Sequence, residues 1–325
     1  MARIKIEYGI DLGTTNSGIA RMESGVSNML EIDRSKTIPS AVIYDRKDNV
    51  KVGITALPLD SYVEFKRDMG KEKLNDHPEA KRQDGSSITP ETLSCEVLKK
   101  MSERVNDEVF KAVAVTVPAM FEIGQVEATR RAAKSAGFEQ VEILMEPVAA
   151  ATVFAMNNIG KNGNWFIFDF GGGTFDASII NVDEGIMKVE KSEGDNRLGG
   201  GDLDRTMINN IMIPKIKEQF NLDGLSEEQM KGITRSLKRA ADEIKINLSF
   251  NDEKDYFSDV KQFGNDADGN DIELEYVFTK DELHKLFSPY YQKAIDCVKK
   301  LIERANLTID EIDELILVGG QTQIP

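Results

Sequence analysis

Apolar and polar residues alternate over residues 3 to 10 and again over 17 to 22, the period of half-buried strands, and the turn between them reads DLGTTN. Further strands are expected near 28 to 32 and 40 to 45, followed by a charged, turn-rich stretch from 46 to 87. The period then changes. Thr89 and Pro90 form a cap and first helical position, and Leu93, Val97, Leu98, Met101, Val105 and Val109 recur on one helical face, predicting a helix over 90 to 110. It leads into an apolar strand at 112 to 117 that Pro118 ends. Helix 121 to 136, strand 140 to 145 and an Ala-rich helix 147 to 157 follow, a crossover pattern that implies parallel pairing.

From Trp165 the pattern starts again. FIFDFGGGTFDASII repeats the strand, Asp-x-Gly turn and strand of YGIDLGTTNSG, so that Asp11 falls on Asp169, Gly13 on Gly171, and Thr14, Thr15 and Asn16 on Gly172, Gly173 and Thr174. The two copies stand about half a chain apart, which points to an internal duplication. In the second half a capping box at Ser226 and Gln229 opens a helix over 226 to 249, striped by Met230, Ile233, Leu237, Ala241, Ile244 and Leu248. A hairpin at 255 to 262 and 272 to 278 comes next. Thr279 and Glu282 suggest another capping box for a helix over 280 to 305, expected to break at Pro289, before the strand 313 to 318. The segment GNDADGNDIELE resembles a calcium loop only in part and is read as a polar turn through Asp268 and Gly269.

The fold class expected is α/β, two-lobed, with a duplicated half and inserted subdomains. Residues 1–38 and 112–158 would form the core of lobe I and 39–111 its insertion. Residues 159–198 and 285–325 would form the core of lobe II and 199–284 its insertion. Compared with the first half, the second stops early, which suggests a lobe II core incomplete at its C-terminal end.

Composition narrows the function. No apolar run reaches the ~20 residues of a spanning helix and no signal peptide opens the chain, so a cytoplasmic location without membrane contact is expected. Two cysteines, Cys95 and Cys297, read as reduced thiols, and two histidines leave little material for a histidine metal site or a catalytic triad. With 41 basic against 56 acidic residues the net charge is −15, a field that repels nucleic acid.

A Gly- or Thr-rich turn between strands aims successive backbone N–H groups at one point, and such a nest binds oxyanions. An Asp just before each turn would repel a polyphosphate unless a divalent cation lay between, and Mg2+ accepts one or two carboxylates together with phosphate oxygens and water. The paired turns therefore argue for Mg-nucleotide held between two lobes.

GIDLGTTNS, FDFGGGTFD and LILVGGQTQIP together resemble the two phosphate motifs and the adenosine motif of the actin, sugar kinase and heat-shock ATPase superfamily. EFKRDMG, VTVPAMF, MEPVAAA, GDNRLGGGDLD and ADEIKINLS narrow the resemblance, over nearly all of the chain, to the nucleotide-binding domain of DnaK-type heat-shock chaperones. That resemblance implies an actin-like ATPase fold, ATP or ADP with Mg2+ as cofactors and K+ as a further candidate ion. It also implies slow ATP hydrolysis coupled to a chaperone cycle. The partners it implies are a J-domain co-chaperone, a nucleotide exchange factor and unfolded polypeptide, the last only through a substrate-binding domain that this chain lacks.

Residue by residue, the resemblance gives Asp11 and Asp169 the metal shell, and Gly13, Thr14, Thr15, Asn16, Gly171, Gly172 and Gly173 the phosphates. Lys66 would approach the terminal phosphate and the attacking water, with Glu146 and Thr174 positioning that water or the metal shell and Asp176 as an ancillary carboxylate. Gly200, Asp242, Lys245, Ser249, Gly319, Gly320 and Gln323 would meet the nucleoside. Departures are visible: Ile246 and Gln323 replace two arginines that stack on adenine, and Gln321 replaces a serine beside the glycine pair. Glu142 and Met145 replace an arginine and an asparagine that contact the J-domain, Val126 an arginine that works with Pro118 in interdomain signalling, and Arg197 a histidine. Two alternatives stand beside the ATPase: a scaffold or exchange factor that holds nucleotide without turnover, and a small-molecule kinase of the same superfamily.

Overall fold

The computed structural model describes residues 6–57, 59–105 and 112–324. Its first sheet is built on β1 (Tyr8–Asp11), which pairs antiparallel with β2 (Asn16–Glu23); β3 (Val26–Met29) and β4 (Thr37–Pro39) add to the outer edge of β2. A small hairpin, β5 (Val42–Tyr44) with β6 (Val50–Val52), stands apart. Helix α1 (Pro90–Ser102) carries the chain back to β7 (Ala112–Val117), parallel to β1; then α2 (Ile123–Ser135) leads to β8 (Gln140–Met145), parallel to β7, and α3 (Glu146–Asn157) follows at once.

The second sheet repeats this plan. β9 (Gly163–Phe170) pairs antiparallel with β10 (Phe175–Asp183), which pairs with β11 (Ile186–Asp195). The inserted region holds α4 (Gly200–Met207), a π turn over Ile208–Met212, α5 (Ile213–Lys217), α6 (Glu227–Leu248) and the hairpin β12 (Glu253–Phe257) with β13 (Glu275–Thr279). Helix α7 (Lys280–Ala305) then returns the chain to β14 (Glu314–Val318), parallel to β9. The orders β3-β2-β1-β7 and β11-β10-β9-β14 correspond strand for strand, as the repeated Asp-x-Gly motif implied. β8, which extends the first sheet, has no equivalent among the described residues.

Capping explains the helix starts. Thr89 Oγ1 accepts the Thr92 amide at 3.1 Å with Pro90 at the first position, and Ser226 and Gln229 close the box that opens α6. Three sequence expectations change. Helix α1 ends at Ser102 instead of near 110, and Val109 lies outside the described residues. Thr279 caps α7 alone, because the Glu282 carboxylate accepts the Tyr276 hydroxyl at 2.8 Å. Pro289 does not break α7. The carbonyl deprived of an N–H partner belongs to Lys285, on the exposed face, while Leu283, Phe287, Ala294 and Leu301 bury the other face. The stretch around Asp268 and Gly269 is a tight polar turn in which the Asp266 carboxylate accepts the amides of Asn221, Asp268 and Asn270.

Separate apolar clusters fill the first sheet with α1 and α2, the second sheet with α7, and the inserted region around α6. A fourth lies between α3 and the second sheet, where Trp165 is fully buried against Ala151 and meets Phe154 edge-on at 5.1 Å. Helix α3 thus follows β8 of the first sheet yet packs on the second, which ties the halves together at the base of the cleft. Among the described residues no helix is long and apolar enough to cross a membrane.

Candidate active site

β1 ends at Asp11 and β9 carries Asp169 near its end, each at the carboxyl end of a strand with a parallel neighbour, where open α/β sheets place their ligands. The turn after each strand is anchored from behind. Ser40 donates its hydroxyl to the Gly13 carbonyl and its amide to that of Thr15, both at 2.7 Å. In the second turn, the amides of Gly200 and Gly201 at the start of α4 donate to the carbonyls of Gly171 (3.1 Å) and Gly172 (2.8 Å). In a trans peptide the carbonyl and the next N–H point in opposite directions, so this anchoring turns the amides of Thr14, Asn16, Gly172 and Gly173 away from their anchors. All four residues line a cleft of about 600 Å3 between the halves, a volume suited to a small-molecule ligand.

The two turns touch. A Cβ on Gly172 would lie 2.1 Å from Thr15 Oγ1, and one on Gly173 2.1 Å from Thr14 Cγ2, so a side chain at either glycine would force the turns apart. Gly319, after β14, has φ of 89° and packs against the Phe170 carbonyl, a conformation and an approach that only glycine tolerates.

Lys66 enters from a 3-10 turn, Phe65–Asp68, and is 5% exposed. Its ammonium donates to Glu146 Oε1 at 2.7 Å and stands 5.8 Å from the centre of the Phe121 ring. Burial works against that charge, but Glu146, Asp11 and Asp176 outweigh it and hold the lysine above its usual value. Negative charge is in excess here. Burial, with Glu146, Asp176 and Asp11 adding to it, pushes Asp169 up to about 7. Asp176, buried beneath the cleft and bonded to Thr174, is also pushed up to about 7, by burial first and Glu146 second. Glu146 is itself raised by burial and by Asp11. Thr116 donates to Asp11 Oδ1 at 3.0 Å.

Among the described residues no three His, Cys, Asp or Glu side chains converge to cage a metal. Mg2+ needs no such cage, since one or two carboxylates, waters and phosphate oxygens satisfy it. Asp11 and Asp169 fit that mode: both are hard oxygen donors at equivalent strand ends, in a cluster that Lys66 alone leaves negative.

On the other wall Gly200, Asp242, Lys245, Ile246, Gly319, Gly320 and Gln321 line the cleft. Lys245 is buried, 5% exposed, paired with Asp204 at 2.6 Å and donating to the Gly200 carbonyl at 3.2 Å. Of the residues named from sequence, Ser249, Gln323 and Asp176 do not line the cleft. Ser249 donates its hydroxyl to the Lys245 carbonyl, and Gln323 is exposed on the 3-10 turn after Gly319. Sequence reasoning missed Thr116, Asp204, Ala149, Ala150 and Val153 as lining residues. Thr116 is brought to Asp11 by the parallel pairing of β7 with β1. Asp204 carried no local signal, since its partner lies on another helix.

The Hsp70 protein family matches residues 7–325. Chaperone protein DnaK of one Thermus thermophilus strain is 33% identical over 343 residues, covering 98% of this chain and 55% of that protein. The protein of the same name from a second strain of that organism is 32% identical with the same coverage. The chain spans about half the length of these curated relatives.

Proposed function

The chain belongs to the Hsp70 family, with the actin-like ATPase fold of that family, and on this premise we propose that it binds Mg-ATP between its lobes and hydrolyses it slowly as the nucleotide-driven part of a chaperone. The observation that carries the reading is the buried Lys66–Glu146 pair, which lines the same cleft as the two equivalent, touching turns. The turn amides would hold the phosphates, and Thr14, Thr15 and Asn16 would add side chains from the first half. Bound Mg2+, with Asp11 and Asp169 near it, would neutralise phosphate charge.

Lys66 would set a fixed positive charge beside the terminal phosphate, where charge shifts as water attacks; a preorganised donor of this kind is worth about 3 kcal/mol. Glu146, held by Lys66 and made a better proton acceptor by burial, would orient that water, with Thr174 and Asp176 behind it. Lys245, Gly319 and Gly320 would meet the nucleoside. K+ is a further candidate for the excess negative charge.

A J-domain co-chaperone and an exchange factor complete the reading. Glu142, exposed on β8, would present an anion to a J-domain and select a dedicated partner. Unfolded polypeptide would be handled by a domain distinct from this one. Single-turnover hydrolysis of bound ATP, compared between the wild type and Lys66→Ala, tests the proposal.

A further inference from the structure

Glu64 lies two residues before Lys66 and holds a left-handed backbone, φ 56°, at the entrance to the 3-10 turn. A non-glycine residue pays for that conformation, so it persists where surrounding contacts fix it. Two of the three cations that fix it here come from the second half of the chain. Glu64 Oε1 accepts Lys238 Nζ of α6 at 2.7 Å, and its Oε2 lies 3.2 Å from Arg205 Nη1 of α4 and 3.0 Å from Arg67 Nη1. Arg67 reaches on to Asp202 Oδ2 at 2.7 Å, and that same oxygen accepts the Gly199 amide just before α4. The carboxylate also fills the space at the start of α4: a Cβ on Gly201 would lie 2.6 Å from Glu64 Oε1. Burial alone would raise its pKa, but Lys238, Arg67 and Arg205 pull it down to about 2, so it stays charged across the physiological range.

Lys238 belongs to the helix that carries Asp242 and Lys245, and the start of α4 anchors the second phosphate turn. We propose that Glu64 is a positioning residue: through Lys238 and the start of α4 it registers the nucleotide-holding elements of lobe II against the turn that carries Lys66. The inference rests on the catalytic reading of Lys66 given above. Its physical content is a coupling between Glu64 and Lys238 that acts on the chemical step, because the pair fixes where the Lys66 ammonium stands when the lobes close on nucleotide.

The test is single-turnover hydrolysis at saturating Mg-ATP, with ATP affinity measured separately, for wild type, Glu64→Gln, Lys238→Met, the double variant and Lys66→Ala. Glu64→Gln should slow hydrolysis by roughly 10- to 100-fold, as expected for a misplaced catalytic group, with ATP affinity within about threefold of wild type. Lys238→Met should slow the same step, and the double variant should fall no further than the worse single one. Lys238 itself lines the cleft, so Glu64→Ala, with Lys238→Met as its partner in the cycle, carries the test if Glu64→Gln does not fold. Wild-type rates in Glu64→Gln and Lys238→Met, or losses that simply multiply in the double variant, overturn the proposal while a slow Lys66→Ala leaves the catalytic reading standing. A wild-type rate in Lys66→Ala overturns that reading itself.

Discussion

Gly173 and Thr14 meet across the interlobe cleft so closely that a Cβ on the glycine would lie 2.1 Å from Thr14 Cγ2. Each residue belongs to the turn of one half, so the contact sets the separation of the two turns. Gly173→Ala must push the turns apart or strain them, a cost of about 1–3 kcal/mol for an overpacked methyl. We expect a lower melting temperature and at least about tenfold weaker Mg-ATP binding, with part of the melting temperature restored when Thr14→Gly is added. Calorimetric titration and thermal unfolding of the wild type and the two variants check this, and wild-type behaviour of Gly173→Ala would contradict it.

Asp169 and Asp176 titrate as neighbours near pH 7 in the ligand-free protein. Their folded values lie above the unfolded carboxylate value of 3.8, so the folded state retains protons that the unfolded state has already released. Their contribution to stability is therefore full below about pH 4, declines as pH rises through about 7 and stays low beyond. Urea midpoints without nucleotide should fall between pH 5 and pH 8 on this account. Mg-nucleotide favours the ionised form, so binding at pH 6.5 should release about one proton. Titration in two buffers of different ionisation enthalpy measures it, and proton uptake would contradict the assignment.

The repeated Asp-x-Gly turns were legible because a duplication writes the same local chemistry twice, and the helix starts were legible at Thr89 and Ser226 because caps are local. What escaped was long-range. Pro289 reads as a break until Lys285 is seen to face solvent while Leu283 and Phe287 anchor the helix on both sides of the lost bond. Lys245 sits on what looks like a polar helix flank, and only Asp204 on α4 makes its burial possible. Glu64 is an ordinary acidic loop residue until three cations, two of them on α4 and α6, are folded around it.

The buried Asp204–Lys245 pair should behave as one unit. Removing either partner strands a desolvated charge, at a cost of about 3–5 kcal/mol, whereas replacing both with apolar residues of similar size costs far less. Asp204→Leu and Lys245→Met should each lower stability more than the double variant does. Denaturant unfolding of the four proteins checks this, and additive losses would contradict it.

Base selectivity should be weak. Ile246 lines the cleft yet remains 58% exposed, and Gln323 lies outside the lining, so neither supplies a cation over a purine. ATP and GTP should differ in Kd by less than about tenfold. Ile246→Arg should tighten ATP through a stacking contact of roughly 0.5–2 kcal/mol, while Gln323→Arg alone should leave ATP affinity within about twofold. Nanomolar ATP binding by the wild type without gain in Ile246→Arg would contradict this.

On the proposed reading Lys66, buried against Glu146 in the cleft that both turns line, acts on the chemical step. Its most direct test is the single-turnover rate of bound Mg-ATP in Lys66→Ala, with ATP affinity and thermal unfolding recorded on the same sample. The hydrolysis rate should fall by about 100-fold or more with ATP affinity within a few-fold of wild type. A folded Lys66→Ala protein that hydrolyses ATP at the wild-type rate would contradict it.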